Sequence, residues 1–232
     1  MNRVVTDSTR LQEFLFGIKD ELPILIGVIP FGMIYGILAL SAGLSPSQAQ
    51  AMSAIVFAGS SQFMLVQLAG TGTPVLMMIL TGFVINLRHA LYSASMASYT
   101  SHLHPAWKTL LSYLLTDEAY AVTINHYRQT NNRQNKHWYF LGAGVALWGS
   151  WQISTALGIF LGAQIPPSLS LDFTLALTFI ALIIPNIQDR ASILAAISAG
   201  SFALLTVSLP YKLNLLGAAI VGIIFGLWVE EK

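Results

Sequence analysis

Apolar residues fill the chain in long stretches with few interruptions. From position 22 to position 87 there are 66 consecutive residues without Asp, Glu, Lys or Arg, and further charge-free runs cover 89–107, 137–171, 173–188, 191–211 and 213–229. A helix that crosses a bilayer needs about 20 mostly apolar residues, so the first run alone has room for three. The runs lack the strict alternation of barrel strands, and open sheet edges cannot be satisfied in lipid. The pattern therefore predicts an all-α, polytopic transmembrane bundle of about eight spans: 22–42, 48–69, 74–98, 106–125, 138–163, 171–187, 191–209 and 213–229. Turn signals separate them, notably Gly43 with Ser45-Pro46-Ser47, Gly70 through Pro74, and Pro166-Pro167. The fourth span contains Asp117 and Glu118 and is the weakest. If the second span is re-entrant, or the fourth does not cross, the count falls to seven or six.

The expected organisation is a cytoplasmic segment over 1–21, a single transmembrane domain over 22–229 and a cytoplasmic tail over 230–232. The first 20 residues are polar and mixed in charge, which suits a short amphipathic helix over 8–20 and not a signal peptide. Placing the N-terminus inside puts Arg3, Arg10, Lys19, Arg128, Arg133, Lys136, Arg190 and Lys232 on the inner side, against Lys108 and Lys212 outside. Eight against two predicts N-in and C-in.

Composition sharpens the class. Charged residues are 9% of the chain and hydrophobic ones 55%, where a soluble domain carries roughly 25% charged residues. A soluble enzyme and a disordered chain are excluded on that ground. A net charge of +1 offers nothing to a nucleic acid. The absence of cysteine removes disulfides, thiolate catalysis and Fe–S clusters. His102 and His104 lack an acidic or thiol companion and make a poor metal signal, so neither metal nor cofactor is expected. No nucleophile is matched with a base, and no catalytic residues are assigned.

Candidate chemistry lies where polar residues interrupt the apolar runs. Arg88, within Asn86-Leu87-Arg88-His89, sits deep in the third span. A charge at that depth is costly and is kept for a function or a buried partner; Arg88 either grips a carboxylate with its planar fork or pairs internally to hold helices together. His89 either relays protons or packs through hydrogen bonds. Asp117 and Glu118 either carry a proton, balance Arg88 or bind an ammonium, or simply sit at a solvated helix end. Phe57-Ala58-Gly59-Ser60-Ser61-Gln62-Phe63 reads as a helix break whose freed N–H groups hold a carboxylate, or equally as close helix packing with Gln62 bridging helices. Pro30 with Gly32, and Pro185 with Asn186, mark further breaks or kinks.

The pairs Gly32/Gly36, Gly158/Gly162 and Gly222/Gly226 read as packing faces, between helices or against another subunit or copy. Gly36-Ile37 and Gly158-Ile159 begin two loosely similar stretches, which suggests an internal repeat.

Taken together, Pro30-Phe31-Gly32 with Gly36, Phe57 through Phe63, Asn86-Leu87-Arg88-His89-Ala90-Leu91-Tyr92, Leu115-Thr116-Asp117-Glu118-Ala119-Tyr120 and Leu171-Asp172-Phe173 resemble, in order and over about 30–190, the large subunit of the bacterial branched-chain amino-acid exporters, the AzlC family. The resemblance implies a transporter of valine, leucine, isoleucine, methionine or related amino acids in the bacterial cytoplasmic membrane. It also implies a small AzlD-type membrane subunit as partner. The positions that match the family's polar motifs are Gln62, Asn86, Arg88, Asp117 and Glu118.

The expected function is secondary export of hydrophobic amino acids, driven by protons. Gly59, Ser60, Ser61, Gln62, Asn86, Arg88 and Tyr92 are the candidate substrate-binding residues, and Asp117 and Glu118 the candidates for proton coupling or ammonium binding. The rival reading is a non-catalytic scaffold or assembly subunit whose polar residues only lock helices.

Overall fold

A computed structural model describes residues 9–129, 135–164, 184, 187, 189–209 and 213–230. The described residues form helices and turns only. They are α1 (Arg10–Ser41), α2 (Pro46–Ile55), α3 (Gly59–Gly70), α4 (Val75–Asn86), α5 (Arg88–Thr100), α6 (Pro105–Tyr113), α7 (Asp117–Gln129), α8 (Lys136–Gly162), α9 (Arg190–Leu205) and α10 (Leu213–Glu230). Four stretches are long and apolar enough to cross a membrane: α1, Val75–Thr100 (α4 with α5), α8 and α10. The expected sixth span, with Pro185, and the motif Leu171-Asp172-Phe173 lie outside the described residues.

α1 and α8 form the spine. They run parallel, because Phe14 meets Gly142, Met33 meets Gly158 and Ile37 meets Gly162. Glycines on both helices bring backbone against backbone. A Cβ on Gly17 would strike the Tyr139 carbonyl, one on Gly36 the Thr155 carbonyl, and one on Gly158 the Met33 carbonyl. The Gly32/Gly36 and Gly158/Gly162 pairs are thus the two sides of one seam, as their spacing suggests. The recurring Gly-Ile pairs stand opposite each other in it.

Thr9 starts α1 with a capping box to Gln12, and the helix continues unbroken through Pro23 and Pro30. The expected break at Pro30 and Gly32 is absent; Gly32 is spent on close approach to Ser154. Residues 10–21 form the first three turns of α1, continuous with the apolar run that follows. At about 1.5 Å per residue this 32-residue helix is longer than the roughly 30 Å hydrocarbon core.

The second expected span is two short helices that reverse direction. α2 leaves the C-terminal end of α1 after a turn at Gly43 (φ 88°) and starts with Pro46 under a Ser45–Gln48 capping box. It descends beside α1 and α8: Tyr35 donates to the Ala49 carbonyl at 2.8 Å, and Ser53 bonds Thr155 at 3.1 Å. After the break at 56–58, α3 starts with Gly59 against Trp151. It passes Phe63 edge-on to Tyr35 and ends with Gly70 beside Ala42. α3 therefore runs parallel to α1 and returns to the face it came from. α1 and α3 even end in the same turn, each closed by a six-residue backbone bond (Leu44 N–H to Ala39, Thr73 N–H to Leu68) around a left-handed glycine.

α4 and α5 then continue to the opposite face, with one tight turn at Leu87. There α6 and α7 make a second reversing hairpin. Trp107 of α6 packs on His137 and Trp138 at the start of α8, Tyr113 reaches Trp148 at 2.7 Å, and the chain turns at 114–116. α7 returns until the Tyr127 hydroxyl meets the Lys136 carbonyl at 2.7 Å. The hairpins thus enter from opposite faces, and their tips touch: Tyr113 donates to the Ala54 carbonyl at 2.6 Å and its ring lies 6.1 Å from that of Phe57.

One expectation changes as a result. Because α2–α3 returns, the 101–104 loop lies at the N-terminal end of α1 and α8, so Lys108 shares a face with Lys136 and does not oppose it. α9 and α10 pack antiparallel, with Gly222 against Ala195 and Ala199, and Gly226 against Ala195. Large apolar side chains such as Ile26, Leu76, Phe160 and Leu205 point outward, whereas Glu21, Ser53, Gln62, Thr123 and Thr155 are buried. That inversion suits a lipid surround.

Candidate functional site

The break at 114–116 leaves α7 to be capped by Thr116, whose hydroxyl accepts the Ala119 N–H at 3.3 Å. Asp117 and Glu118 occupy its first turn, where the positive end of the helix dipole favours carboxylates. On the other hairpin, α3 starts at Ala58 with no side-chain cap, so the N–H groups of Gly59, Ser60 and Ser61 have no intrahelical acceptor. Two half-helix starts therefore converge from opposite faces at the middle of the molecule.

Arg88 lies between them, one residue after the Leu87 turn. Its guanidinium binds Asp117 Oδ2 at 2.6 Å through Nη1 and donates to Ser60 Oγ at 2.6 Å through Nη2. Tyr92, one turn along α5, donates to Asp117 Oδ1 at 2.6 Å and stacks on Tyr120 at 4.5 Å between ring centres. The Arg88 and Asp117 side chains keep 31% and 36% of their surface, so the ion pair faces open space and is not sealed between helices.

That space is a cavity of about 680 Å³, within the range of small-molecule sites. Gly59, Ser60, Arg88, His89, Tyr92, Thr116, Asp117 and Glu118 form its polar side; Val28, Phe31, Phe57, Phe63, Leu147 and Trp151 form its apolar wall, and α9 closes it with Ser192, Ala195 and Ala196. Among the described residues there is no cluster of side chains suited to a metal.

Of the residues expected from sequence, Gly59, Ser60, Arg88, Tyr92, Asp117 and Glu118 meet at the cavity. Ser61 and Gln62 do not line it. Both are fully buried in the packing of α3, with Ser61 taking the Asn86 amide at 3.4 Å, so Asn86 supports the break and does not face the cavity. Phe57 and Phe63, which bound the break segment singled out from sequence, do belong to the apolar wall, whereas Val28, Phe31, Leu147 and Trp151 were not anticipated, because no spacing distinguishes them from other apolar positions. Thr116 carries a capping signature one residue before Asp117, which could have been read.

Tyr92→Phe removes one charge-assisted bond to Asp117. An increase of about tenfold to a hundredfold in the half-saturating substrate concentration is expected, matching the roughly 1.5–3 kcal/mol typical of such bonds, with protein amounts unchanged by quantitative blotting.

Comparisons with known proteins place the chain among membrane proteins. The family model described as "AzlC protein" matches residues 23–165. The chain is 31% identical over 186 residues to the inner membrane protein YgaZ of Escherichia coli K12, covering 78% of this chain and 76% of that one. It is 30% identical over 223 residues to an uncharacterized membrane protein of Archaeoglobus fulgidus, covering 94% and 96%. It is 28% identical over 165 residues, 70% and 63% of the two chains, to the branched-chain amino acid transport protein AzlC of Bacillus subtilis. No solved structure matches the chain. With that family model matching more than half of the chain and relatives at 30% identity or more over most of it, the chain belongs to the AzlC family of membrane transport proteins.

Proposed function

We propose that this chain is a secondary transporter that exports branched-chain and related hydrophobic amino acids across the bacterial cytoplasmic membrane, coupled to protons and working with a small AzlD-type subunit. The observation that carries the reading is the Arg88–Asp117 pair, exposed to a cavity at the meeting of two half-helices. A zwitterion can replace each partner for the other. Its carboxylate takes the Arg88 fork and the free N–H groups of Gly59 and Ser60, and its ammonium takes Asp117. The substrate side chain lies against Phe57, Phe63 and Trp151. An apolar wall separates substrates that differ by one methylene by only about 1–3 kcal/mol, so valine, leucine, isoleucine and methionine are all substrates.

The same geometry supports a topology in which the hairpins α2–α3 and α6–α7 enter from opposite sides without crossing, with the N-terminus of α1 in the cytoplasm. Lys108 then joins the basic cytoplasmic residues, which strengthens the positive-inside bias.

The test is counterflow in proteoliposomes made with and without the small subunit. Preloaded unlabelled leucine is expected to drive uptake of labelled valine, isoleucine and methionine, whereas lysine and glutamate fail to compete. A wild-type protein that is folded yet exchanges none of these amino acids sinks the reading.

A further inference from the structure

We propose that the interface between α1 and α7 is the route by which the coupling proton passes between the central cavity and the N-terminal end of α1, with Glu21 as its intermediate station. The inference rests on the transport reading above and extends it to groups that the binding site does not use.

α1 and α7 cross antiparallel. Glu118, at the cavity, interacts electrostatically with Glu21. Eight residues away along each helix, Glu13 meets His126, whose Nε2 lies 3.3 Å from the Glu13 carboxylate. Eight residues are about two helical turns, so Glu21 and Glu13 share one face of α1, as Glu118 and His126 share one face of α7. Between the two pairs stands Thr123, fully buried, its hydroxyl without a hydrogen-bond partner among the described residues.

Glu21 itself is 0% exposed. Among the described residues neither of its carboxylate oxygens has a hydrogen-bond partner and no cation is paired with it. The ionisable groups around it are Glu118 from α7, Tyr139 from α8, and Asp20, which accepts the Tyr139 hydroxyl at 2.7 Å. Further toward the helix start, Lys136 donates to the Tyr127 carbonyl at 2.8 Å, and the Tyr139 ring stacks on His126 at 3.7 Å. A group kept only for packing would be apolar here, and one kept as a lock would be paired, because an unpaired buried charge is costly. An unpaired acid between a cavity-lining carboxylate and a histidine–carboxylate pair is suited to pass a proton on. The crossing runs through groups that can each bind one: Glu118, Glu21, then His126 with Glu13.

The experiment separates exchange from coupling in proteoliposomes of the full chain with its small subunit. Counterflow of leucine needs no net proton movement, whereas accumulation under an imposed pH gradient does. Glu21→Gln is expected to keep wild-type counterflow and to lose pH-driven accumulation by about a hundredfold, the scale at which a positioned proton-transfer group acts. Wild-type accumulation by Glu21→Gln overturns the route, as does wild-type accumulation that follows a Na⁺ gradient and ignores pH. If Glu21→Gln cannot be made or lacks counterflow, His126→Gln at the far end takes its place, with the same split expected and the same overturning result. A wild-type protein without counterflow removes the transport reading itself, and so is distinguished from failure of the route alone.

Discussion

Arg88→Gln is expected to abolish measurable export while the protein is still made. Glutamine cannot offer the planar fork that matches a carboxylate. The loss of two charge-assisted bonds to substrate is worth about 3 kcal/mol or more, roughly a hundredfold in affinity. The change also leaves Asp117 with Tyr92 as its remaining side-chain partner of those the site provides, so a fall in protein amount accompanies it. The double variant Arg88→Gln/Asp117→Asn separates the two effects. It removes both charges and should bring the protein back to near wild-type amounts, because neither charge is then left without its partner. It should not restore transport. Quantitative blotting and leucine counterflow on the same proteoliposomes check both parts. If the double variant transported normally per molecule, Arg88 and Asp117 would be a helix lock, and the scaffold reading would stand.

Gly158→Leu is expected to prevent assembly of the bundle. A Cβ at Gly158 would overlap the Met33 carbonyl oxygen, its carbon and its Cα. These are backbone atoms, so no rotamer change relieves the clash; α1 and α8 must separate along their whole seam. Overpacking of side chains alone costs about 1–3 kcal/mol, and a backbone clash in the most extensive helix pair among the described residues exceeds that. Gly149, on the same helix, has nothing within 4 Å of its Cβ position. Gly149→Ala should be neutral or stabilising by up to about 1 kcal/mol, the difference in helix propensity. The measurement is the monodisperse fraction after detergent extraction, followed by thermal unfolding. A Gly158→Leu protein as monodisperse and as stable as the wild type would show that the seam is not needed.

Much of the site is legible without coordinates because its members are chemically out of place. Arg88, Asp117 and Glu118 are the charges within otherwise apolar segments, and polar residues in such segments are expensive enough to need a reason. Gly59-Ser60-Ser61 marks a helix break for the same kind of reason. Legibility ends where a role depends on which neighbour a residue meets. Ser60 and Ser61 are adjacent and chemically alike, yet Ser60 holds Arg88 and Ser61 holds Asn86. A helix turns successive side chains by about 100°, and only packing decides which one faces the cavity. Glu21 lies at the border of the first apolar run and reads as the end of a solvated segment. Its complete burial follows from α7 and α8 closing over α1.

The sequence by itself determined the class of the protein and marked one of its breaks: helices in lipid, interrupted around Gly59-Ser60-Ser61, with a cation and two acids inside apolar segments. These follow from local chemistry, since each unsatisfied backbone group or charge in hydrocarbon must be avoided or compensated wherever it occurs. Only the tertiary structure decided direction. A 22-residue apolar segment over 48–69 has the same length and hydropathy whether it crosses the membrane or folds back on itself. α3 reverses because Gly59 fits against Trp151 and Gly70 against Ala42, contacts between residues far apart in the chain. That reversal moves Lys108 to the other face and brings two half-helix starts together. It turns a short list of out-of-place residues into one cavity.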